Sequence, residues 1–215
     1  LNGKETKFAF TGDLGRRGMP ILKDPEILPD IDYLICEGTY GNRLHDPLED
    51  AEKQLAQVIN AAYDQGGKVI IPSFAVGRTQ ELIYFLHRLK DAQKIPDIDV
   101  FVDSPMAVNA TSIFKVHQEC YDEEVRKAFI DNHKNPFGFE GLHYIADVSE
   151  SKELNTRREP CIIISSSGMC EAGRILHHLK NNITDGRNTV LIVGFMAEHT
   201  LGRALADRRA SVKIF

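Results

Sequence analysis

The sequence has no Cys-x-x-Cys pair. Its four cysteines, Cys36, Cys120, Cys161 and Cys170, stand far apart. That spacing excludes a zinc knuckle or a dithiol redox motif and suits a reduced, cytoplasmic setting. It has no apolar run long enough to span a bilayer, Val190 to Val193 being representative, so no membrane partner is expected. It has no excess of positive charge: 26 Lys+Arg stand against 31 Asp+Glu, a net −5. A nucleic-acid binder held by bulk charge is thereby excluded, and any polyanion must be met by a local cluster or by metal ions. No signal peptide is read at the start, and no repeat or low-complexity segment along the chain. Phosphate-loop signatures are missing too. There is no Gly-x-Gly-x-x-Gly. Gly168-Met-Cys-Glu-Ala-Gly173 has the outer glycines of a mononucleotide loop, but Arg174 and Ile175 follow where Lys and a hydroxyl residue are required.

What is present is an ordinary globular balance of 42% hydrophobic and 27% charged residues over 215 positions. At roughly 150 residues per domain this is between one and two domains. Such a chain buries about 70% of its unfolded surface without disulfides. It starts at Leu1 without Met and stops at Ile214-Phe215 inside a strand-like run, and is expected to be an excised piece of a larger protein.

One layout recurs. A short apolar run leads into small or hydroxyl residues and then into a helical pattern. Strands are expected at 8–11, 33–36, 68–71, 100–102, 142–146, 161–164, 190–193 and 212–214. A first helix is expected from Pro47, capped by Asp46 with Glu49 completing a capping box. Leu48, Ala51, Leu55, Val58, Ile59 and Ala62 share one face at period 3.6, and Gly66-Gly67 supplies a left-handed stop. Further helices carry Leu82, Ile83, Leu86 and Leu89; span 107–129, in two pieces; carry Ile175, Leu176 and Leu179; and cover 201–205. Alternating strands and helices predict an α/β fold, a mostly parallel sheet with helices on both faces. Continuous apolar strands require two covered faces.

Ligands in such sheets bind beyond the C-terminal strand ends. Those ends carry Ser73, Ser104, Ser165, Ser166, Ser167, Gly168 and Gly194. Small residues admit a ligand to the backbone, and each following helix offers free N–H groups with about half a positive charge. Two readings stay open: a phosphate-binding edge, or ordinary helix caps. Asp13, in a Gly-bounded turn after the first strand, is either a turn residue or a metal-bridging carboxylate. Glu37 ends the second strand as a surface acid or a functional one.

The ordered segments Phe-Thr-Gly-Asp13, Cys-Glu37-Gly-Thr-Tyr-Gly41, Pro-Ser73-Phe-Ala-Val-Gly-Arg78-Thr-Gln-Glu81, Asp103-Ser-Pro-Met-Ala107, Ser165-Ser-Ser-Gly-Met169 and Gly194-Phe-Met-Ala-Glu-His-Thr200-Leu-Gly-Arg203 resemble one family. It is the β-CASP family of metallo-β-lactamase-fold nucleases, zinc-dependent RNA-processing enzymes related to the cleavage and polyadenylation specificity factor nuclease. The resemblance covers nearly the whole chain. It implies that 1–41 is the end of a metallo-β-lactamase half-domain and 42–215 a Rossmann-like β-CASP cap. It implies that Asp13 bridges two zinc ions and that Glu37 orients a histidine near the scissile phosphate. It also implies two-metal hydrolysis of single-stranded RNA, with zinc lowering the pKa of a bound water toward ~7.

Arg78, Arg174 and Arg203 are then candidates for backbone phosphates, or for ion pairs with neighbouring acids. Ser73, Ser104, Ser165, Ser166, Ser167, Gly168, Gly194 and Thr200 complete the expected substrate edge. The family's His-x-His-x-Asp-His motif is absent from these residues, so the chain alone is expected to be inactive and to need the remaining metallo-β-lactamase domain. His177 and His178 are adjacent and point about 100° apart on a helix, so they cannot chelate one ion together. His45, His87, His117, His133 and His143 are isolated, as surface or packing residues. Gly38 stands where the family has Ser, and His199 where it has Gly. A homodimer through the cap is carried by no residue. The rival readings are a scaffold-type paralogue that has lost catalysis, and a stand-alone nucleotide-binding module.

Overall fold

The computed structural model describes residues 3, 5–42, 44, 47–132 and 134–215. Its larger part is a five-stranded sheet in the order β5-β4-β6-β3-β7 with every pairing parallel. The strands are β3 (Val69–Pro72), β4 (Asp99–Asp103), β5 (Leu142–Ile145), β6 (Cys161–Ser165) and β7 (Thr189–Val190). The helices are α1 (Leu48–Asp64), α2 (Arg78–Asp91), α3 (Pro105–Val116), α4 (Glu123–Val125, continued by a π-helical turn to Ile130), α5 (Val148–Thr156), α6 (Ile175–Asn182) and α7 (Leu201–Ala206).

The strand alternation sorts the core into two layers, as the two-residue period requires. Val69, Ile71, Val100, Val102, Ile162 and Ile164 pack with Ile59, Ile83, Leu86 and Ala107 of α1, α2 and α3. On the other face Ile70 meets Ile175 and Leu179 of α6, while Phe101 and Ile163 meet Leu154 of α5. From β3 the chain steps across β6 to β4 and on to β5, then reverses to β6 and β7. The reversal falls beside β6, so the crevice that such sheets use for ligands opens beyond the ends of β4, β6 and β3.

The N-terminal residues form a second, two-stranded parallel sheet of β1 (Phe8–Phe10) and β2 (Tyr33–Ile35). Its side chains are mostly exposed. The segment after β1 is tied to the larger part by an antiparallel bridge between Leu22 and Tyr121. Lys23 N–H donates to the Cys120 carbonyl (3.0 Å), Asp122 N–H donates to that of Ile21 (2.9 Å), and Ile21 is buried in the main core.

Several expectations need correction. The first helix starts at Leu48, with Pro47 as N-cap and no side-chain cap bond. Asp46, the side chain of Glu49, His45 and His133 lie outside the described residues. The stop is as expected: Gly66 has φ +69°, and the N–H groups of Gly66 and Gly67 bond the carbonyls of Tyr63 and Ala62 at 2.9 Å, the paired bonds of a Schellman stop. Of the 190–193 run only Val190 pairs as a strand, together with Thr189 before it, and 212–214 is not a strand, since no neighbour among the described residues pairs with it. Helix α5 was not foreseen: its sequence is largely polar and buries only Ser151 and Leu154. No helix among the described residues is long and apolar enough to cross a membrane.

Candidate active-site cleft

Strands β1 and β2 pair in register, Phe10 opposite Ile35, so their C-terminal ends lie side by side. Thr11 N–H extends the ladder to the Ile35 carbonyl (3.1 Å), and Glu37 N–H reaches the Thr11 hydroxyl (3.4 Å). The loops that follow carry Asp13 and Glu37. Both line one cavity of about 710 Å³ that is also lined by Arg78, the first residue of α2, and by Val193, just beyond β7. Arg16 and Lys23 add positive charge to the same wall set.

The Glu37 carboxylate accepts the Thr39 N–H at 2.8 Å. That bond, chiefly, holds its pKa below the ordinary carboxyl value, so Glu37 is an anion at neutral pH. Arg78 gives one N–H to Glu81 at 2.7 Å, out of the five donors of a guanidinium. Burial raises the Glu81 pKa above its usual value, against the pull of Arg78.

The hydroxyl row is gathered at one end of the large sheet, and most of its members have partners within the protein. Ser73, Ser104 and Ser165 are buried and engaged. Ser104 caps α3 by accepting the Ala107 N–H (3.3 Å) and takes a bond from the Ser166 hydroxyl (3.2 Å). Ser165 donates to the Asp103 carbonyl (2.9 Å). The Ser73 hydroxyl accepts from Thr79 (3.1 Å), and Ser73 N–H donates to the Ser165 carbonyl (3.0 Å). Ser167 accepts the N–H groups of Glu171 and Ala172 (3.1 and 3.3 Å). Thr200 caps α7 through the Arg203 N–H (3.1 Å). These side chains tie strand ends and helix starts together.

Gly168 lies against the ring of Phe74. Gly194 is exposed and precedes Phe195, whose ring meets Tyr40 of the Glu37 loop edge-on at 6.4 Å. Gly194 directly follows Val193, which lines the cleft. Arg203 pairs with Asp207 at 3.1 Å.

Arg174 is half-buried and bonded within the protein. Its guanidinium donates to Asp103 Oδ1 (2.6 Å) and to the carbonyl of Ala146 (2.7 Å). Asp103 is the centre of a buried network absent from the sequence reading. Its other oxygen accepts Ser151 Oγ and meets His178 Nε2, both at 2.6 Å. His178 Nδ1 faces Asn155 Oδ1 (3.0 Å), Asn155 is reached by Asn182 (3.4 Å), and Asn182 accepts from Lys68 Nζ (3.0 Å). Burial by itself would raise the Asp103 pKa, but hydrogen bonds from His178, Ser151 and Arg174 outweigh it and hold the pKa below the ordinary value. A signal existed: an acid closing an apolar strand, and a histidine on the apolar side of a helix. His177, next to it, is exposed, as their divergent directions require.

Among the described residues no group of three His, Cys, Asp or Glu is placed to hold a metal. Zinc takes about four ligands.

A sequence profile of the Beta-Casp domain matches residues 79–205. Ribonuclease TTHA0252 of Thermus thermophilus is 36% identical over 212 residues, covering 99% of this chain and 48% of that protein. An RNase J-like protein of Methanocaldococcus jannaschii is 33% identical over 218 residues, covering 100% of this chain and 49% of its own length. Endoribonuclease YSH1 of Candida glabrata is 33% identical over 201 residues, covering 91% of this chain and 26% of its own. The chain thus spans about half the length of the first two relatives. The ordered motifs, the parallel sheet with its loaded C-terminal edge and the profile match over more than half of the chain agree: the chain belongs to the β-CASP family.

Proposed function

We propose that this chain is the substrate-gripping part of an RNA-processing nuclease that hydrolyses phosphodiester bonds of single-stranded RNA. The observation that carries the reading is the cleft that Asp13, Glu37 and Arg78 line together. A polyanion needs such a local cation in a chain of net negative charge, and relatives of this chain are named ribonucleases. Asp13 is proposed as the one ligand these residues contribute to a pair of zinc ions, which supply an ionised water to a phosphodiester when bound. Glu37, an anion held by Thr39 N–H, is proposed to receive a hydrogen bond from an imidazole and fix its orientation. Arg78 is proposed to hold a backbone phosphate, with Arg203 further along. Arg174 acts instead through Asp103, as a support of the strand ends.

The division into 1–41 and 42–215 is part of the proposal; Leu55, Ile59 and Ala62 of α1 share one core with Leu82 and Ile83 of α2, which supports placing α1 with the larger part, and Ile21 reaches into that core from the first segment. The four free cysteines suit a reducing compartment such as the cytoplasm. The 215-residue chain alone is expected to leave RNA intact.

The test uses the full-length natural protein with zinc and an end-labelled single-stranded RNA. Asp13→Ala is expected to lower kcat by at least about a hundred-fold and to reduce the bound zinc. Glu37→Gln is expected to cost 10–100-fold. Arg78→Ala is expected to raise KM roughly ten-fold, the loss of one charge-assisted bond, with kcat nearly unchanged. Zinc-loaded protein that leaves single-stranded RNA uncut, or an Asp13→Ala protein as active as the natural one, would end this reading.

A further inference from the structure

We propose that Phe74 is a stacking platform for an unpaired base of the bound strand, one loop away from the phosphate contact at Arg78. The inference rests on the RNA reading above and adds a base-facing element to it.

Phe74 follows Ser73 at the C-terminal end of β3, beside the sheet's reversal point. A phenylalanine placed there by packing would be buried, yet its residue exposure is 48%. The backbone beneath it is fixed. The Phe74 carbonyl accepts Thr79 Oγ1 at 2.7 Å and Ser73 Oγ at 3.3 Å, so the ring is carried on a braced turn.

One face of the ring is backed by Gly168, in the loop after β6. A Cβ placed on Gly168 would lie 2.7, 2.9 and 3.0 Å from three successive ring carbons. Near-equal distances to consecutive atoms mean that the glycine stands over the π face and not at the ring edge. The absence of a side chain at 168 therefore lets the ring lie against backbone on that face, while the residue as a whole keeps its exposed surface.

The surroundings fit a strand of single-stranded nucleic acid. Arg78 lies four residues on and lines the cleft with Asp13 and Glu37, so a cation for a phosphate and a flat aromatic for a base sit on the same edge. This is how unpaired strands are held without sequence readout, by stacking combined with positive charge. Stacking tolerates every base, because every base has a π face.

The experiment measures binding of a short single-stranded oligoribonucleotide bearing 2-aminopurine to the full-length protein, by fluorescence quenching and titration, with thermal melts alongside. Phe74→Leu keeps apolar bulk and removes the π face. It is expected to weaken binding roughly ten-fold and to abolish the quenching, since a stacked base is worth about 1–3 kcal/mol. Phe74→Trp and Phe74→Tyr are expected to bind within about two-fold of the natural protein, and Phe74→Leu to melt at the natural temperature. Natural binding and quenching by Phe74→Leu would overturn the platform while leaving the nuclease reading intact. Equal losses in Phe74→Leu and Phe74→Tyr with lowered melting would overturn it in favour of a packing role. Failure of the natural protein to bind the oligonucleotide at all would instead remove the nuclease reading, and this proposal with it.

Discussion

Strands β1 and β6 read alike as sequences, Phe-Ala-Phe and Cys-Ile-Ile-Ile-Ser, yet they meet opposite surroundings. In β6 every residue is buried between two helical layers. In β1 Phe8 and Phe10 are 63% and 71% exposed, and in β2 Tyr33 and Leu34 are 62% and 57% exposed. A two-stranded sheet is marginal by itself; here it is held by its pairing and by the segment seated against Tyr121. The difference teaches that the larger sheet is stabilised by burial on both faces, while the smaller one, which carries Asp13 and Glu37 just beyond its ends, is held mainly by its pairing. Substitutions in the two regions should therefore have unlike costs.

The largest cost is expected at Asp103, where β4 ends. Removing it leaves Arg174 and His178 without their shared carboxylate, and breaking a buried ion pair costs about 3–5 kcal/mol. Asp103→Ala should lower stability by that amount in urea denaturation. The pH dependence has a definite sign. The folded-state pKa of Asp103 is depressed, so its stabilisation is fully present above the ordinary carboxyl value of about 3.9 and fades as the pH falls through the lower, folded value. The gap between the natural protein and Asp103→Asn should narrow in acid. A gap that stays constant from pH 7 to pH 2 would remove the charge from the explanation.

The comparison itself is tested by a pair of truncations. Ile163 is fully buried between β3 and β4, and Ile163→Ala should cost about 2–5 kcal/mol, as removal of a core isoleucine does. Phe10→Ala removes a larger side chain from an exposed site, and surface changes usually stay within about 0.5 kcal/mol. Equal costs in the 215-residue chain would break the contrast. A cost that appears for Phe10→Ala only in a longer natural form would sharpen it, by showing that something covers β1.

Local signals carried much of the fold. The stop at Gly66-Gly67, the apolar face of α1, the Ser104 cap and the order of strands and helices all rest on interactions within a few residues. The strands that precede Asp13 and Glu37 were legible in the same way, but that they pair with each other rests on contacts about 25 residues apart. What stayed hidden rests on long separations. Asp103 and His178 are 75 residues apart, and nothing in either neighbourhood states that they meet. For the serines, the residue type fits a cap and a phosphate contact equally, and only the partner decides; most proved to have a protein partner. The run at 190–193 illustrates a third limit. Its composition suits a strand throughout, but pairing ends at Val190 because β-structure needs a neighbour as well as a propensity.

The smallest effect concerns the family departure at His199. The backbone there is left-handed, with φ +67°, which is the conformation that glycine adopts at no cost and other residues at about 1–2 kcal/mol. The position thus suits glycine on physical grounds. Part of the gain is offset, because glycine also frees the unfolded chain by roughly 0.5–1 kcal/mol. His199→Gly is therefore expected to stabilise by only about 0.5 kcal/mol, a rise of about 1–2 °C in Tm for a chain of this size. Calorimetry on the natural and substituted proteins reads it directly. A fall in Tm would mean that the imidazole makes a contact worth more than the strain, and would turn His199 from a tolerated departure into a structural residue of the α7 cap.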